Sequence, residues 1–411
     1  MLQPATTLPS TSEQRAKLSI GFINWAHAID HYVMLIFPTV VISLGPVFQL
    51  SYAELIALGT PSFIAFGLFA LPAGWIGDHW SRRNMMALFF AGCGLSLIAA
   101  GLAPTPIMLA IALTAVGVFA AIYHPVGTAL LLEQATSRGR SMAFNGVCGN
   151  LGVAFAAGIT AALTFAFGWR AAFLVPGVIC LATATAYWRL VPDQVRKAAG
   201  RATVADVPLA AWMAATIFAL FIVIALTAGL VFHIATVALP KIVDERAGID
   251  LSLVVVGGIA TLIFMCGAIA QLAVGRLVER FHQHLLFAAV ALLQFVGVVW
   301  AAYATGPILL IALAVTMAAI YAQVTINDLV IARYTPDAWR GRVYAVRYFL
   351  TFVVSGAAVS LIALLYARGG FDLVLGTAAV IALGFVIATA VVALLVNGVE
   401  KERARVVVPA E

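Results

Sequence analysis

Long apolar runs alternate along the chain with short polar breaks. The runs fall at 18–44, 52–76, 84–103, 107–132, 141–166 and 170–190, then at 212–239, 251–275, 285–305, 307–332, 343–367 and 372–396. A helix needs about 20 mainly apolar residues to cross a bilayer, and it satisfies all its backbone groups internally. The pattern therefore predicts an all-α polytopic membrane protein with twelve transmembrane helices. Composition agrees: 64% of the residues are hydrophobic and 10% charged, where roughly a quarter are charged in a soluble domain. The stretch Met1 to Lys17 is polar and lacks an apolar core, so no cleaved signal peptide is expected ahead of the first span.

The placement of charge sets the expected orientation. Of the 23 lysines and arginines, only Arg170, Lys241, Arg246 and Arg368 fall on the side opposite the termini. Basic residues concentrate on the cytoplasmic side of a membrane protein. Both termini are thus expected in the cytoplasm of a multi-pass cell-membrane protein, at the inner membrane if the source is Gram-negative. The net charge of +6 is then a topology signal, and nucleic acid is not an expected partner.

The polar stretch Pro192 to Pro208 divides the runs six and six. The expected units are an N-terminal half, 1–191, a cytoplasmic linker, 192–211, and a C-terminal half, 212–411. An internal repeat supports the division. Gly74-Trp75-Ile76-Gly77-Asp78 recurs as Gly275-Arg276-Leu277-Val278-Glu279, Arg138-Gly139-Arg140 as Arg340-Gly341-Arg342, and His31 with Pro38 as His233 with Pro240. All three repeats share nearly one offset. Parallel six-helix repeats are a transporter architecture, with cargo held between the halves near the midplane.

The first span carries the most unusual chemistry. Within Trp25-Ala26-His27-Ala28-Ile29-Asp30-His31-Tyr32 a carboxylate and two imidazoles lie deep in an apolar run. A charge there costs on the order of 2.5–3.5 kcal/mol on insertion scales, so it normally faces a cavity or a partner. His27 is one turn from His31 and three residues from Asp30, so it can face either one. A polar knot that glues helices is the bland reading. Imidazole titrates near neutral pH, which favours a proton or substrate site on a transport path.

Asp78 ends the second span, with Arg82 and Arg83 one turn on. Such an acid can pair with an arginine or with a neighbouring helix N-terminus. That contact can form in one conformation and break in another. The pattern Gly74-x-x-x-Asp78-x-x-x-Arg82-Arg83 resembles the loop 2–3 signature of the major facilitator superfamily, with a degenerate copy at Gly275, Glu279 and Arg280. His79 and Ser81 depart from the usual basic residue and glycine. Twelve spans, the linker and the Arg-Gly-Arg pairs extend the likeness over essentially the whole chain. His27, Asp30 and His31, Tyr123-His124-Pro125 and Gly149-Asn150-Leu151-Gly152 further resemble the fosmidomycin-resistance-like branch of drug and metabolite exporters. Ala156-Ala157 stand where that branch carries Gly-Pro.

The resemblance implies that spans one, four, seven and ten line a central cavity. The four histidines within spans, His27, His31, His124 and His233, all come from that set. Tyr32, Tyr123, Tyr321, Gln323 and Asn327 add polar groups. Arg347 is expected near the cytoplasmic end of span eleven, which leaves the middle without a fixed cation and favours a neutral, cationic or weakly acidic cargo. Cys93, Cys148, Cys180 and Cys266 lack metal-ligand spacing. No P-loop and no H-E-x-x-H occurs, so neither a cofactor, a metal nor an enzymatic activity is expected.

The expected function is proton-coupled secondary transport, an efflux of a small organic compound by alternating access and antiport. Its expected partners are the small-molecule substrate, protons and the lipid bilayer, and the protein is expected to be a monomer. A proton symporter importing a metabolite and a membrane sensor without transport are the alternatives.

Overall fold

The computed structural model describes residues 11–193, 211–335 and 337–407, and every regular element among them is helical. The first six long helices are α1 (Thr11–Val40), α2 (Thr60–His79), α3 (Arg82–Leu102), α4 (Pro106–Ala120), α5 (Arg138–Phe167) and α6 (Ala171–Leu190). Then come α7 (Ala211–Arg246), α8 (Leu253–Leu277), α9 (Gln283–Tyr303) and α10 (Gly306–Tyr334). One unbroken assignment, Asp337–Val407, holds two spans, because Gly369 (φ −163°, ψ 25°) and Gly370 (φ 60°, ψ −156°) leave helical geometry. Its parts are α11 (337–368) and α12 (371–407). The conformation at Gly370 suits a residue without Cβ. Counting the two parts separately turns eleven membrane-length helices into the expected twelve.

The expected linker, 192–211, falls almost wholly on residues outside those described. So do the side chains of Arg340 and Arg342.

Local chemistry explains the helix starts. Ser81 Oγ accepts from Asn84 N at 3.1 Å and opens α3. Thr105 Oγ1 accepts from Met108 N at 3.3 Å and opens α4, with Pro106 in the first turn. Each satisfies a backbone donor that the first turn leaves unpaired. Proline inside α1 (Pro38) and α7 (Pro240) is tolerated where neighbouring helices surround it. Large apolar side chains point outward on many helices, Ile111, Phe165, Leu262 and Val380 among them, as expected where the surroundings are lipid.

Within the first six helices α1 packs on α5 and α3 on α6, and α7 packs on the α11–α12 pair. The first six helices meet the last six chiefly at two crossings, α5 against α8 and α2 against α11. Gly158 N donates to Thr261 Oγ1 at 3.1 Å, and Ser355 Oγ donates to the Phe63 carbonyl at 3.2 Å.

At the end away from the termini the two sets also meet through side chains. The Tyr52 ring lies 4.7 Å from that of Tyr366 and 6.1 Å from that of Phe371, with Lys241 Nζ 5.7 Å above it. Tyr366 donates to Glu245, and Lys241 pairs with Asp244 at 2.6 Å. A central cavity of about 500 Å³ lies between the two sets. Toward the terminal end its wall continues through Leu71, Thr128, Met142, Asn327 and Arg347.

Candidate functional site

The cavity wall on the α1 side is a group of imidazoles. His27 and His31 lie one turn apart on α1 with ring centroids 4.9 Å apart, and His124 approaches from beyond α4, where Tyr123–Gly127 forms a π-helical turn. Pro125 lacks an N–H, so the regular ladder cannot run through this turn. Each histidine offers a ring nitrogen within 4.8 Å of the other two. Among the described residues these three form the group that could hold a metal ion.

The rings are held by the backbone behind them. His27 Nδ1 lies 2.7 Å from the Asn145 carbonyl. A carbonyl only accepts, so Nδ1 carries the proton and Nε2 presents a lone pair. That Nε2 is 3.2 Å from His31 Nε2. The His27 ring stacks on Tyr123 with centroids 4.7 Å apart. On its other side lies α5 at Gly149, where an added Cβ would fall 2.5 Å from His27 Nε2. One turn along, Gly152 packs against the Ala28 backbone. These two glycines let α1 and α5 approach closely, while Gly146 has no atom within 4 Å of its Cβ position and lines the cavity instead.

Asp30 is fully buried and is not among the cavity-lining residues. Its carboxylate turns to neither His27 nor His31. Oδ2 lies 3.3 Å from His124 Nε2, and His124 does line the cavity. Tyr123 and Tyr32 also sit behind the wall. His233, Tyr321, Gln323 and Asn327 face the same cavity from α7 and α10. His31 and His233, equivalent positions in the sequence repeat, therefore line one space from opposite sides.

Two features escaped the sequence. Asn145 is a buried hub: it accepts from Tyr123 Oη at 2.9 Å, donates to Asn24 Oδ1 at 3.0 Å, and its carbonyl holds His27. A lone neutral amide near the start of a span carries neither charge nor a titrating group to single it out. The second feature is a cation at the terminal end of the cavity. Arg347 lines it, paired with Asp328 of α10. A long flexible side chain places its charge well away from its own helix position.

The expected latch lies apart from the cavity, at the terminal end. Gly74 packs closely on Pro125, with its Cβ position 3.2 Å from Pro125 Cβ. Asp78 pairs with Arg82 at 2.7 Å, and Arg82 also pairs with Glu133. Arg83 donates to the Val191 carbonyl at 2.8 Å and lies 4.0 Å over the Trp188 ring. All these partners belong to the first six helices. In the second copy, Gly275 has no atom within 4 Å of its Cβ position, and Glu279 and Arg280 are exposed.

Residues 20–327 match the family model described as Major Facilitator Superfamily. Puromycin resistance protein pur8 of Streptomyces alboniger is 32% identical over 148 residues, which are 35% of this chain and 29% of that protein. The gallate transporter of Pseudomonas putida is 28% identical over 142 residues, 34% of this chain and 31% of that protein. These matches span about a third of each relative's length. Among solved structures, a bacterial homolog of the human lysosomal transporter Spinster, inward-facing and unoccupied, superposes with a TM-score of 0.74 at 15% identity. It covers 96% of this chain and 99% of that one. A D-xylose-proton symporter gives 0.73 at 14% identity, covering 91% and 96%. At such identities the likeness speaks for the fold.

Proposed function

The chain belongs to the Major Facilitator Superfamily, and from that premise we propose that it is a proton-coupled secondary transporter that exports a small organic compound by alternating access. The observation that carries the proton coupling is the placement of Asp30. It is fully buried, with Oδ2 3.3 Å from the imidazole of His124, and His124 faces the cavity. At that distance a proton can pass directly between the carboxylate and the imidazole. His124 would carry protons between the cavity and Asp30, while His27, His31 and His233 would share the wall that receives cargo. A volume of about 500 Å³ suits a drug-sized molecule, since such pockets run about 300–1,000 Å³. Phe63, Phe66, Phe232 and Phe349 supply apolar surface, and Tyr321, Gln323 and Asn327 supply hydrogen bonds.

Alternating access would work by rocking residues 1–191 against 212–411 about the crossings of α5 on α8 and α2 on α11. With both termini cytoplasmic, the contacts at Tyr52, Tyr366 and Lys241 seal the outer end and the present state is open inward. Asp78, Arg82 and Arg83 would latch the opposite state, in which the terminal ends of the two halves meet.

Export rests on two supports: the resemblance to the fosmidomycin-resistance-like branch and the match to a puromycin resistance protein. In the second reading the same residues run symport into the cell. Reconstitution into proteoliposomes with an imposed pH gradient, screened against a compound panel, tests the proposal. The expected result is accumulation of at least one compound, reversing when the gradient is reversed. The gradient that drives accumulation distinguishes antiport from symport. No flux for any compound, or flux indifferent to the gradient, overturns it.

A further inference from the structure

We propose that His27, His31 and His124 form a binding site for one divalent ion of the zinc class, open to the cavity. Three imidazoles from two parts of the fold converge with one ring nitrogen each inside a 4.8 Å span. Tetrahedral zinc with Zn–N bonds of about 2.0–2.1 Å places its ligand nitrogens roughly 3.3 Å apart. His27 Nε2 and His31 Nε2 already stand at 3.2 Å. The third nitrogen has to close by no more than about 1.5 Å to meet the same spacing. His124 rides on the π-helical turn at Tyr123–Gly127, an irregular piece of backbone suited to such an adjustment.

The surroundings supply the supports that liganding imidazoles use. A ligating histidine typically gives its other ring N–H to a carbonyl or carboxylate, which fixes its tautomer and orientation. His27 does so to the Asn145 carbonyl at 2.7 Å, and that bond leaves Nε2 unprotonated and aimed at His31. His124 has the Asp30 carboxylate 3.3 Å away. Tyr123 on one face of the His27 ring and Gly149 on the other hold it in place.

The donor set chooses the ion. An all-imidazole triad suits zinc, copper, nickel or cobalt, whereas calcium and magnesium want oxygen cages. Three protein ligands leave one position toward the cavity, where water or a donor atom of a cargo can bind. Linear spacing did not reveal the site, because the third ligand comes from a distant segment. His124 belongs to both readings, but Co²⁺ binding is measured without flux, so the outcome of either test does not decide the other.

The test uses tag-free, detergent-purified full-length protein, with Co²⁺ as a visible probe and Zn²⁺ as its competitor. The expected result is one Co²⁺ per chain with the intense visible bands of four-coordinate cobalt, bleached by Zn²⁺ and untouched by Mg²⁺. His27→Gln, His31→Gln and His124→Gln should each weaken binding by about tenfold or more. His282→Gln, at an exposed turn outside the cavity, should not. A wild-type spectrum showing only the weak bands of six-coordinate cobalt overturns the proposal, whether or not any variant folds. Binding that survives in the triad variants, or that is lost in His282→Gln, also overturns it.

Discussion

Gly149→Ala is the sharpest test of how α1 and α5 hold the imidazole wall. The new Cβ would stand 2.5, 2.6 and 2.8 Å from three atoms of the His27 ring, where ordinary contact starts at 3.4 Å. Ring or helix must therefore yield by about 0.9 Å at the closest atom. The ring is confined by its 2.7 Å bond to the Asn145 carbonyl and its stack on Tyr123. Helix α5 is confined in turn by the contact of Gly152 with the Ala28 backbone. Overpacking of this kind costs about 1–3 kcal/mol, and loss of the His27 bond adds about 1 kcal/mol. Better helix propensity returns roughly 0.5–1 kcal/mol, leaving a net loss of about 1–3 kcal/mol. Gly146→Ala is the matched control, since its Cβ position meets no atom within 4 Å. Unfolding entropy grows with chain length, so each kcal/mol moves the midpoint of a chain this size by about one degree. The assay is thermal unfolding in detergent at a fixed scan rate, because such transitions depend on rate when irreversible. Gly149→Ala should melt below wild type and Gly146→Ala at or above it. Equal shifts in the two variants would refute the packing argument.

Three further outcomes are expected. Impermeant thiol reagent applied to intact cells should label Arg170→Cys and spare Arg138→Cys, both exposed positions at opposite helix ends; the reverse pattern would invert the proposed orientation. Asp78→Asn removes the 2.7 Å pair with Arg82, and should shift the balance of inward- and outward-open states by about 1 kcal/mol without abolishing cargo binding. Wild-type transport rates across the pH range would remove the latch. Arg347→Gln takes the cation from the cavity wall and leaves Asp328 without its partner, so competition binding should show weakened affinity for anionic cargo and little change for neutral compounds.

The spans were legible because a bilayer tolerates few charges over the length of a helix, so every polar break is a boundary. Even the final pair could be separated by sequence, since Arg368-Gly369-Gly370 interrupts the apolar run where the backbone turns. The imidazole wall was half legible. Histidine is conspicuous inside an apolar span, and His27, His31, His124 and His233 do meet at one cavity. Which of them faces Asp30 was not legible, because the choice depends on the rotation of α1 and on the π-turn that brings His124 inward. Asn145 was not legible because a lone uncharged amide near a span end shows nothing of the partners it will hold. That the Arg347 side chain borders the cavity was not legible, because span position locates its Cα and not its guanidinium. The second latch motif repeats the first in sequence, yet Glu279 and Arg280 are exposed while Asp78 and Arg82 pair. Sequence repetition does not fix which copy is engaged in a given conformation.

Proton exchange at Asp30 is the central claim, and Asp30→Asn in proteoliposomes tests it most directly. The amide keeps the shape and hydrogen-bonding capacity of the carboxylate but cannot release a proton. With the transported compound in hand, accumulation driven by an imposed pH gradient and counterflow between equal pools are measured on the same preparation. The account predicts that Asp30→Asn loses gradient-driven accumulation and retains counterflow, because the cavity wall that His31, His124 and His233 present to cargo remains. Accumulation against a concentration gradient by Asp30→Asn, driven by the pH difference, would make Asp30 a structural acid and place the coupling site elsewhere.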